Sequence, residues 1–413
     1  MPSTVSRCHR PYRMRLRSWA LPVFSATILT VAACGGQSTT QQQVQGVTAT
    51  TISLGTTLPL SGGAALPAAG YRAGIDAAVK EINAAGGING RKFSLTVLDD
   101  GFGVARSVAN FRQLGDDAKV YAIVVPTGSA NIPGSWPYVT QKGILVWAPV
   151  LPPDPNLPSV FLLSTSLMDQ ARVDVDYLHS KGVTSIGFIG ENDALGLPIL
   201  QGVLAQIAKY PDMKVVSTQY TVANSTDISA GLVALRQANP QGIVLGTAQT
   251  QSGLIMKQAY QLGWHPIITG TSSTSNTGTL NSITVSGAQA ATGMTGTETY
   301  ELLTAQSPGI TAWQAAMTKY DPDQKSSSTA LQGYAYMQVF LQMVKTSGND
   351  LSWKHFESVV ESTKNLPALG SLIPPITGGP LPGGHTLTQG VKIAQWDGQK
   401  WFDVSPDWIT YAR

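Results

Sequence analysis

The chain is expected to be an α/β protein with two parallel sheets, and three observations say so. Short runs rich in Val, Ile and Thr recur along its 413 residues. Each is followed by a stretch with helical spacing, and the whole rhythm restarts near residue 169. Strands alternating with helices of this length imply βα units and a sheet covered on both faces.

The first series opens at 51–57, a β-rich run stopped by Pro59 and the Gly62–Gly63 turn. Over 69–85 the spacing is helical, with Ile75, Ala78, Val79 and Ile82 on one face. Gly86 and Gly87 stop that helix, and Asn89–Gly90 turns the chain into a strand at 93–99. The rhythm then predicts a helix at 104–114, a strand at 122–125, a helix at 132–141 and strands at 144–147 and 161–163. The second series predicts helices at 169–181, 197–210, 228–238 and 253–262. Between and after them come strands at 185–189, 215–220, 243–246 and 266–269. A strand at 294–300, a long amphipathic helix at 330–345 and a hairpin built on 391–396 and Trp401 complete the chain.

The first 36 residues carry a targeting signal. Arg13, Arg15 and Arg17 form a basic region, and 19–33 hold no charge. That apolar stretch falls short of the roughly 20 residues that span a bilayer but suits a signal peptide. Ala32 and Ala33 directly before Cys34 resemble a bacterial lipobox, which implies cleavage before Cys34 and lipid on its thiol. Ordinary cleavage beside an incidental Cys is the alternative, and Met14 offers a second start. Removing 1–33 takes five arginines with it and leaves 22 basic against 24 acidic residues, a net charge near −2. No basic field remains to recruit nucleic acid. Cys8 leaves too, so the fold is held by core burial rather than disulfides. Residues 34–50 read as a flexible tether rich in Thr and Gln.

Five runs stand out in order: Leu58-Pro-Leu-Ser-Gly62, the stretch from Glu81 to Arg91, Leu98-Asp-Asp100, the stretch from Ala122 to Ser129, and Asn224-Ser-Thr-Asp227. Taken together they resemble the type I periplasmic solute-binding proteins of ABC transporters, in the branched-chain amino acid and amide group. The resemblance spans about residue 50 to the C-terminus. It implies two Rossmann-like lobes joined by a three-crossover hinge, closing on one small solute. Lobe one would be 51–165 plus 297–368, and lobe two 166–296 plus 369–413. It further implies a monomer outside the cytoplasmic membrane, anchored to its outer face through Cys34 and handing its solute to an ABC permease.

The site chemistry follows the strand ends. Pro126-Thr-Gly-Ser129 follows an apolar strand and is expected to open a helix; Gly128 lets a ligand approach the backbone and Ser129 offers its hydroxyl. An N-cap role is the plainer reading of Ser129. The matching Ser of the family grips a ligand carboxylate. Ser61 ends the first strand in a comparable way. This chain departs from the family elsewhere: Val125 replaces a Gly, Val150-Leu151-Pro152 replace a small polar group, Leu195-Gly196 replace a Tyr-Gly pair, and Ala69 replaces a Tyr. The acidic residue expected near Gly270-Thr-Ser272 is absent. A buried ammonium without a partner costs several kcal/mol, so the ligand is expected to be a less charged, partly apolar solute. Trp136 or Trp147 would offer a stacking face, with core packing the plainer reading of both, and Gln249, Thr250, Gln251 and Ser272 polar contacts at lobe-two strand ends.

Other motifs fail. Gly101-Phe-Gly103-Val-Ala-Arg106 lacks the third glycine of a dinucleotide fingerprint and reads as a turn. No Walker sequence, nucleophile elbow or zinc-type spacing is present, and the five histidines look scattered and unpartnered. Asp99–Asp100 reads as a solvated strand end, since adjacent strand residues point to opposite faces. Glu191 and Asp193 follow the first lobe-two strand, where contact with ligand is one reading and turn or capping roles are the commoner one. The expectation is therefore a binding protein with no catalytic residues, cofactor or metal. A ligand sensor of the same fold is the alternative, and a surface hydrolase is disfavoured.

Overall fold

The computed structural model describes residues 44–150, 155–222, 225–274, 289–367, 370–383, 385–405 and 407–411. The signal-peptide and lipidation expectations, most of the tether, Leu151, Pro152 and Asn224 lie outside these residues.

The first sheet is five-stranded and all parallel: β1 (Thr51–Leu58), β2 (Lys92–Asp99), β3 (Ala122–Val124), β4 (Leu145–Trp147) and β5 (Val160–Phe161), in spatial order β2-β1-β3-β4-β5. Alternation sorts its side chains into two cores. Ala122, Val124, Leu145 and Trp147 face one core, and Ile123 and Val146 face the other. The first core is closed by α1 (Ala65–Ala84), α8 (Pro308–Tyr320), α9 (Ser328–Ser347) and α10 (Trp353–Ser362). The second is closed by α2 (Val104–Arg112) and α3 (Trp136–Lys142).

The second sheet has eight strands. β6 (Ser185–Glu191), β7 (Lys214–Thr221), β8 (Gly242–Gly246), β9 (Ile267–Gly270) and β10 (Thr295–Glu298) run parallel, while β11 (Gly390–Trp396) and β12 (Trp401–Asp403) add on antiparallel. The order is β12-β11-β10-β9-β8-β6-β7, and β13 (Ile409–Thr410) pairs with β11. Ile186, Phe188 and Val244 pack under α4 (Leu167–Ser180) and α5 (Gly196–Ile207). Ile189, Ile243 and Leu245 pack under α6 (Ser229–Ala238) and α7 (Gln249–Gln261).

The chain passes between the sheets after β5, after β10 and again before β11. Leu372, Ile373, Ile376 and Leu387 belong to the first core, so its packing runs to residue 387 rather than 368. Residues 44–49 are docked rather than part of a free tether. The Gln45 amide donates to the carbonyls of Gly115 (3.3 Å) and Val120 (3.0 Å), and Ser53 N donates to Gly46 O (2.8 Å). Among the described residues, no helix is long and apolar enough to cross a membrane.

Candidate functional site

Both sheets share one topological feature. In the first, β1 lies between β2 and β3; in the second, β6 lies between β7 and β8. At such a point the connections leave in opposite directions, so the strand ends splay and open a crevice at their carboxyl edge. The crevices fall between Leu58 and Val125 in one sheet and between Glu191 and Gly246 in the other.

At the first crevice the backbone is tightly specified. Thr127 N donates to Thr57 O (3.2 Å), Gly128 N to Val150 O (3.1 Å) and Val150 N to Pro126 O (2.8 Å). Gly128 has φ +136°, and a Cβ there would sit 1.7 Å from Asn131 Oδ1, so only glycine fits. Val125 and Ala148, at the ends of β3 and β4, hold φ of +49° and +50°. For a β-branched residue this is a strained conformation, of order 1–3 kcal/mol. It explains why a glycine suits position 125.

Beneath the crevice lies a polar network. The Thr57 hydroxyl donates to Asp100 Oδ2 (2.8 Å), Phe102 N donates to Asp100 Oδ1 (2.9 Å), and the Asn110 amide donates to Thr57 Oγ1 (2.9 Å). Asp100 is buried, which corrects the expectation of a solvated strand end, and burial raises its carboxyl above the usual range. Asp99 stays at the rim, its carboxyl held low chiefly by the Ser61 hydroxyl, and Arg106 stands 3.9 Å away.

Ser61 is therefore already engaged with Asp99, both through its hydroxyl and through its N–H (3.2 Å). Ser129 is different. It is half-buried, and its hydroxyl makes no hydrogen bond with any described residue. Ser129 does not open a helix: a 3₁₀ turn begins at Ile132 with Asn131 as its cap, and α3 starts only at Trp136. Both the helix-end and the N-cap readings are thereby corrected.

At the second crevice, Glu191 closes β6, is buried, and accepts the N–H of Ala248 at 2.8 Å, directly before α7. Burial raises its carboxyl, and Asp193 beside it adds to the rise. Asp193 caps the next helix, accepting from the N–H groups of Leu195 (2.9 Å) and Gly196 (3.3 Å). Leu195 is buried; Gln249 and Thr250 form the first turn of α7, half-buried and exposed respectively. That helix starts at 249 rather than 253, so these residues sit on a helix, not a loop. Gln251 is buried and spends its amide on Val222 O (2.6 Å) and Ser225 O (3.0 Å), bracing the loop after β7.

At the end of β9, residues 270–274 are neutral. Ser272 N donates to Gln170 Oε1 (2.9 Å), the hydroxyls of Thr271 and Ser273 bond each other (2.9 Å), and Thr274 donates to Thr247 O (3.2 Å).

Both tryptophans pack against cores. Trp147 is wholly buried among Phe161, Phe340 and Phe356, its Nε1–H donating to Tyr336 O (2.9 Å). Trp136 packs against the core beneath α2 and α3. A surface cavity of about 430 Å³ between α1, α8 and α9 also lies apart; its Glu81 carboxylate already accepts from Tyr334 and Gln338 at 2.6 Å.

Chemically, the crevices offer hydroxyls, backbone N–H groups and apolar wall, with no nucleophile–base pair among the described residues. The described histidines sit elsewhere: His179 by Asp212, His265 against Tyr260, His355 on α10, and His385 by Glu361. The buried Asp100 and Glu191 were missed because the partners that enclose them, Thr57 and Ala248, come from distant segments.

Comparison with known proteins supplies the wider frame. A family model described as periplasmic binding protein matches residues 51–400. The Leu/Ile/Val-binding protein homolog 3 of Brucella melitensis is 29% identical over 232 residues, 55% of this chain and 62% of the relative. The chain thus covers less than two thirds of that curated relative's length. Among solved structures, a branched chain amino acid ABC transporter protein from Thermus thermophilus with bound valine has a TM-score of 0.77 at 16% identity, covering 89% of this chain and 98% of that one. A fatty acid ABC transporter substrate-binding protein from Thermomonospora curvata has a TM-score of 0.76 at 18% identity, covering 90% and 95%. At these identities the structural likeness is one of fold.

Proposed function

The chain belongs to the periplasmic binding protein family, and we propose that it is the solute-binding component of an ABC importer. In this reading it works outside the cytoplasm, held to the membrane by lipid on Cys34, and captures one small organic solute between two lobes. The lobes would correspond to the two sheets with their helices, and the three chain crossings to the hinge. A solute touching both crevices stabilises the closed form by its differential affinity for that form. The observation that carries the reading is the pair of matching switch points, one per sheet, β1 between β2 and β3 and β6 between β7 and β8.

The ligand class follows from charge. Glu191 is buried and bonded to a backbone N–H, and the end of β9 presents only neutral side chains. The end of β9 itself offers an ammonium only hydroxyls and backbone groups, so a partly apolar solute without a free ammonium fits this side of the crevice better than a zwitterionic amino acid. The fold is no obstacle, since neighbours of the same architecture are named for valine and for fatty acid. Ser129 would then supply the fixed polar contact, because its hydroxyl is unengaged.

The test is a thermal-shift screen against branched-chain amino acids, amides, aromatic acids and fatty acids. A ligand at 100 times its dissociation constant adds about 2.7 kcal/mol. Uncharged, aromatic or fatty-acid ligands should raise the melting midpoint, and Ser129→Ala should weaken them roughly tenfold or more. A midpoint shift with leucine or valine alone would overturn the ligand class.

A further inference from the structure

Away from both crevices, three metal-ligating side chains meet at the last crossing between the sheets. Glu357 and Glu361 stand four residues apart on α10, hence on one face. The adjoining face buries Phe356 and Val360. His385 arrives from the chain leading to β11 and is 2% exposed. One ligand atom from each of the three lies within 4.8 Å of the others.

The imidazole is held by the fold rather than by the glutamates. Its ring stacks on Phe161 at 4.2 Å, and its backbone is pinned to Leu162: Leu162 N donates to His385 O and Leu387 N to Leu162 O, both 2.8 Å. This aims Nε2 at Glu361 Oε1, 3.1 Å away. With metal–ligand bonds of about 2.0–2.2 Å, neighbouring donors in a tetrahedral or octahedral shell stand roughly 3.0–3.5 Å apart. The His385–Glu361 separation is already in that range.

Charge points the same way. Among the described residues, no Lys or Arg forms an ion pair with either glutamate, and Lys364 is turned to the Gly378 carbonyl at 2.6 Å. His385 Nδ1 is buried with no partner. A cation on Nε2 would place the ring proton on Nδ1, where no described residue accepts it, so the ion's bonds must outweigh that buried N–H. The Glu361 side chain is 29% exposed, which leaves a path from solvent.

We propose that Glu357, Glu361 and His385 bind a divalent transition-metal cation of the Zn²⁺ class. One imidazole nitrogen and two carboxylates suit Zn²⁺ in a site that keeps a position open, whereas Mg²⁺ prefers oxygen ligands and its own waters. A bound ion ties α10 to the strand that crosses toward β11, and so stiffens that crossing.

The test uses the full chain with its thiols alkylated and metals removed by chelation. Zn²⁺ at 100 times its dissociation constant should raise the melting midpoint by about 3 °C, with one ion per chain by calorimetry and no response to Mg²⁺. Glu357→Gln, at a half-buried position, should melt as the metal-free parent does and bind Zn²⁺ at least tenfold more weakly. Glu361→Gln gives the same reading if Glu357→Gln does not fold. No Zn²⁺ response in the parent, an equal response to Mg²⁺, or an unchanged response in these variants would overturn the site.

Discussion

Asp174 lies on the sheet-facing side of α4, wholly enclosed, with Oδ1 taking the Thr269 hydroxyl at 2.8 Å. Its Oδ2 meets no donor, and burial pushes the carboxyl up to about 7, with the Thr269 bond opposing. The folded value lies above the unfolded one, so between the ordinary carboxylate range and about pH 7 the folded chain holds a proton that the unfolded chain has released. Stability therefore falls as pH rises through that window, by about 1.4 kcal/mol per pH unit for this one group, and levels off above it. Asp174→Asn keeps the shape and removes the titration. Melting midpoints at pH 5 and pH 8 should differ less in the variant than in the parent, with the variant the more stable at pH 8. Equal pH dependence in the two would show that Asp174 is ionised in the folded state. The same scale shows what sequence could reveal of the site. The Pro126–Ser129 motif was legible because its glycine and its place after an apolar strand are local. The burial of Asp100 was not, because Thr57 lies 43 residues away in the chain.

Helix against helix, one close approach dominates the first core. A Cβ on Gly74 of α1 would stand 2.1 Å from the Ala330 carbonyl oxygen and 2.6 Å from Tyr334 N, both backbone atoms of α9. Gly→Ala inside a helix ordinarily gains about 0.5–1 kcal/mol. Here the clash must separate two packed helices, and overpacking costs about 1–3 kcal/mol or more, so the clash wins. Gly74→Ala should lower the melting midpoint, whereas Gly231→Ala in α6 should raise it slightly, since its new Cβ meets side-chain atoms only at 3.4 and 3.5 Å. Two variants moving the same way would refute the packing argument. Elements with strong apolar periodicity, such as the strands of both sheets and α9, were readable from sequence. α8 and α10 were not recognised, although Ser307–Pro308 marks the start of α8, with Ser307 capping Ile310 N at 3.2 Å. Their apolar positions, Ile310, Trp313 and Met317, then Trp353, Phe356 and Val360, are sparse among Thr, Ser, Lys and Ala. The signal emerges only once the sheet they cover is known. α1 and α7 each begin four residues earlier than the spacing suggested, since first-turn residues carry little of the apolar stripe.

For the whole molecule, chain order and spatial order disagree, and that has a consequence for folding. The first sheet is complete by Phe161, yet Trp313, Met317, Tyr334, Tyr336, Phe340, Phe356, Leu372 and Ile376 in its first core come from beyond residue 300. Trp147 depends on them directly, donating to the Tyr336 carbonyl and packing on Phe340 and Phe356. A buried aromatic side chain is worth about 1.5–3 kcal/mol relative to exposure. The net stability of a domain is only about 5–15 kcal/mol, so losing this set would exceed what the first sheet has to spare. The second sheet likewise lacks β11 and β12 until residue 390. A fragment of residues 44–296 therefore holds nearly every parallel strand but neither finished unit. It should show no cooperative thermal transition by circular dichroism, whereas residues 44–411 should melt cooperatively. Adding residues 297–411 as a separate chain should restore a transition, because the missing helices and strands bring the buried faces with them. A sharp melt for 44–296 alone would mean that the contiguous βα series is self-sufficient and that the late helices only decorate it.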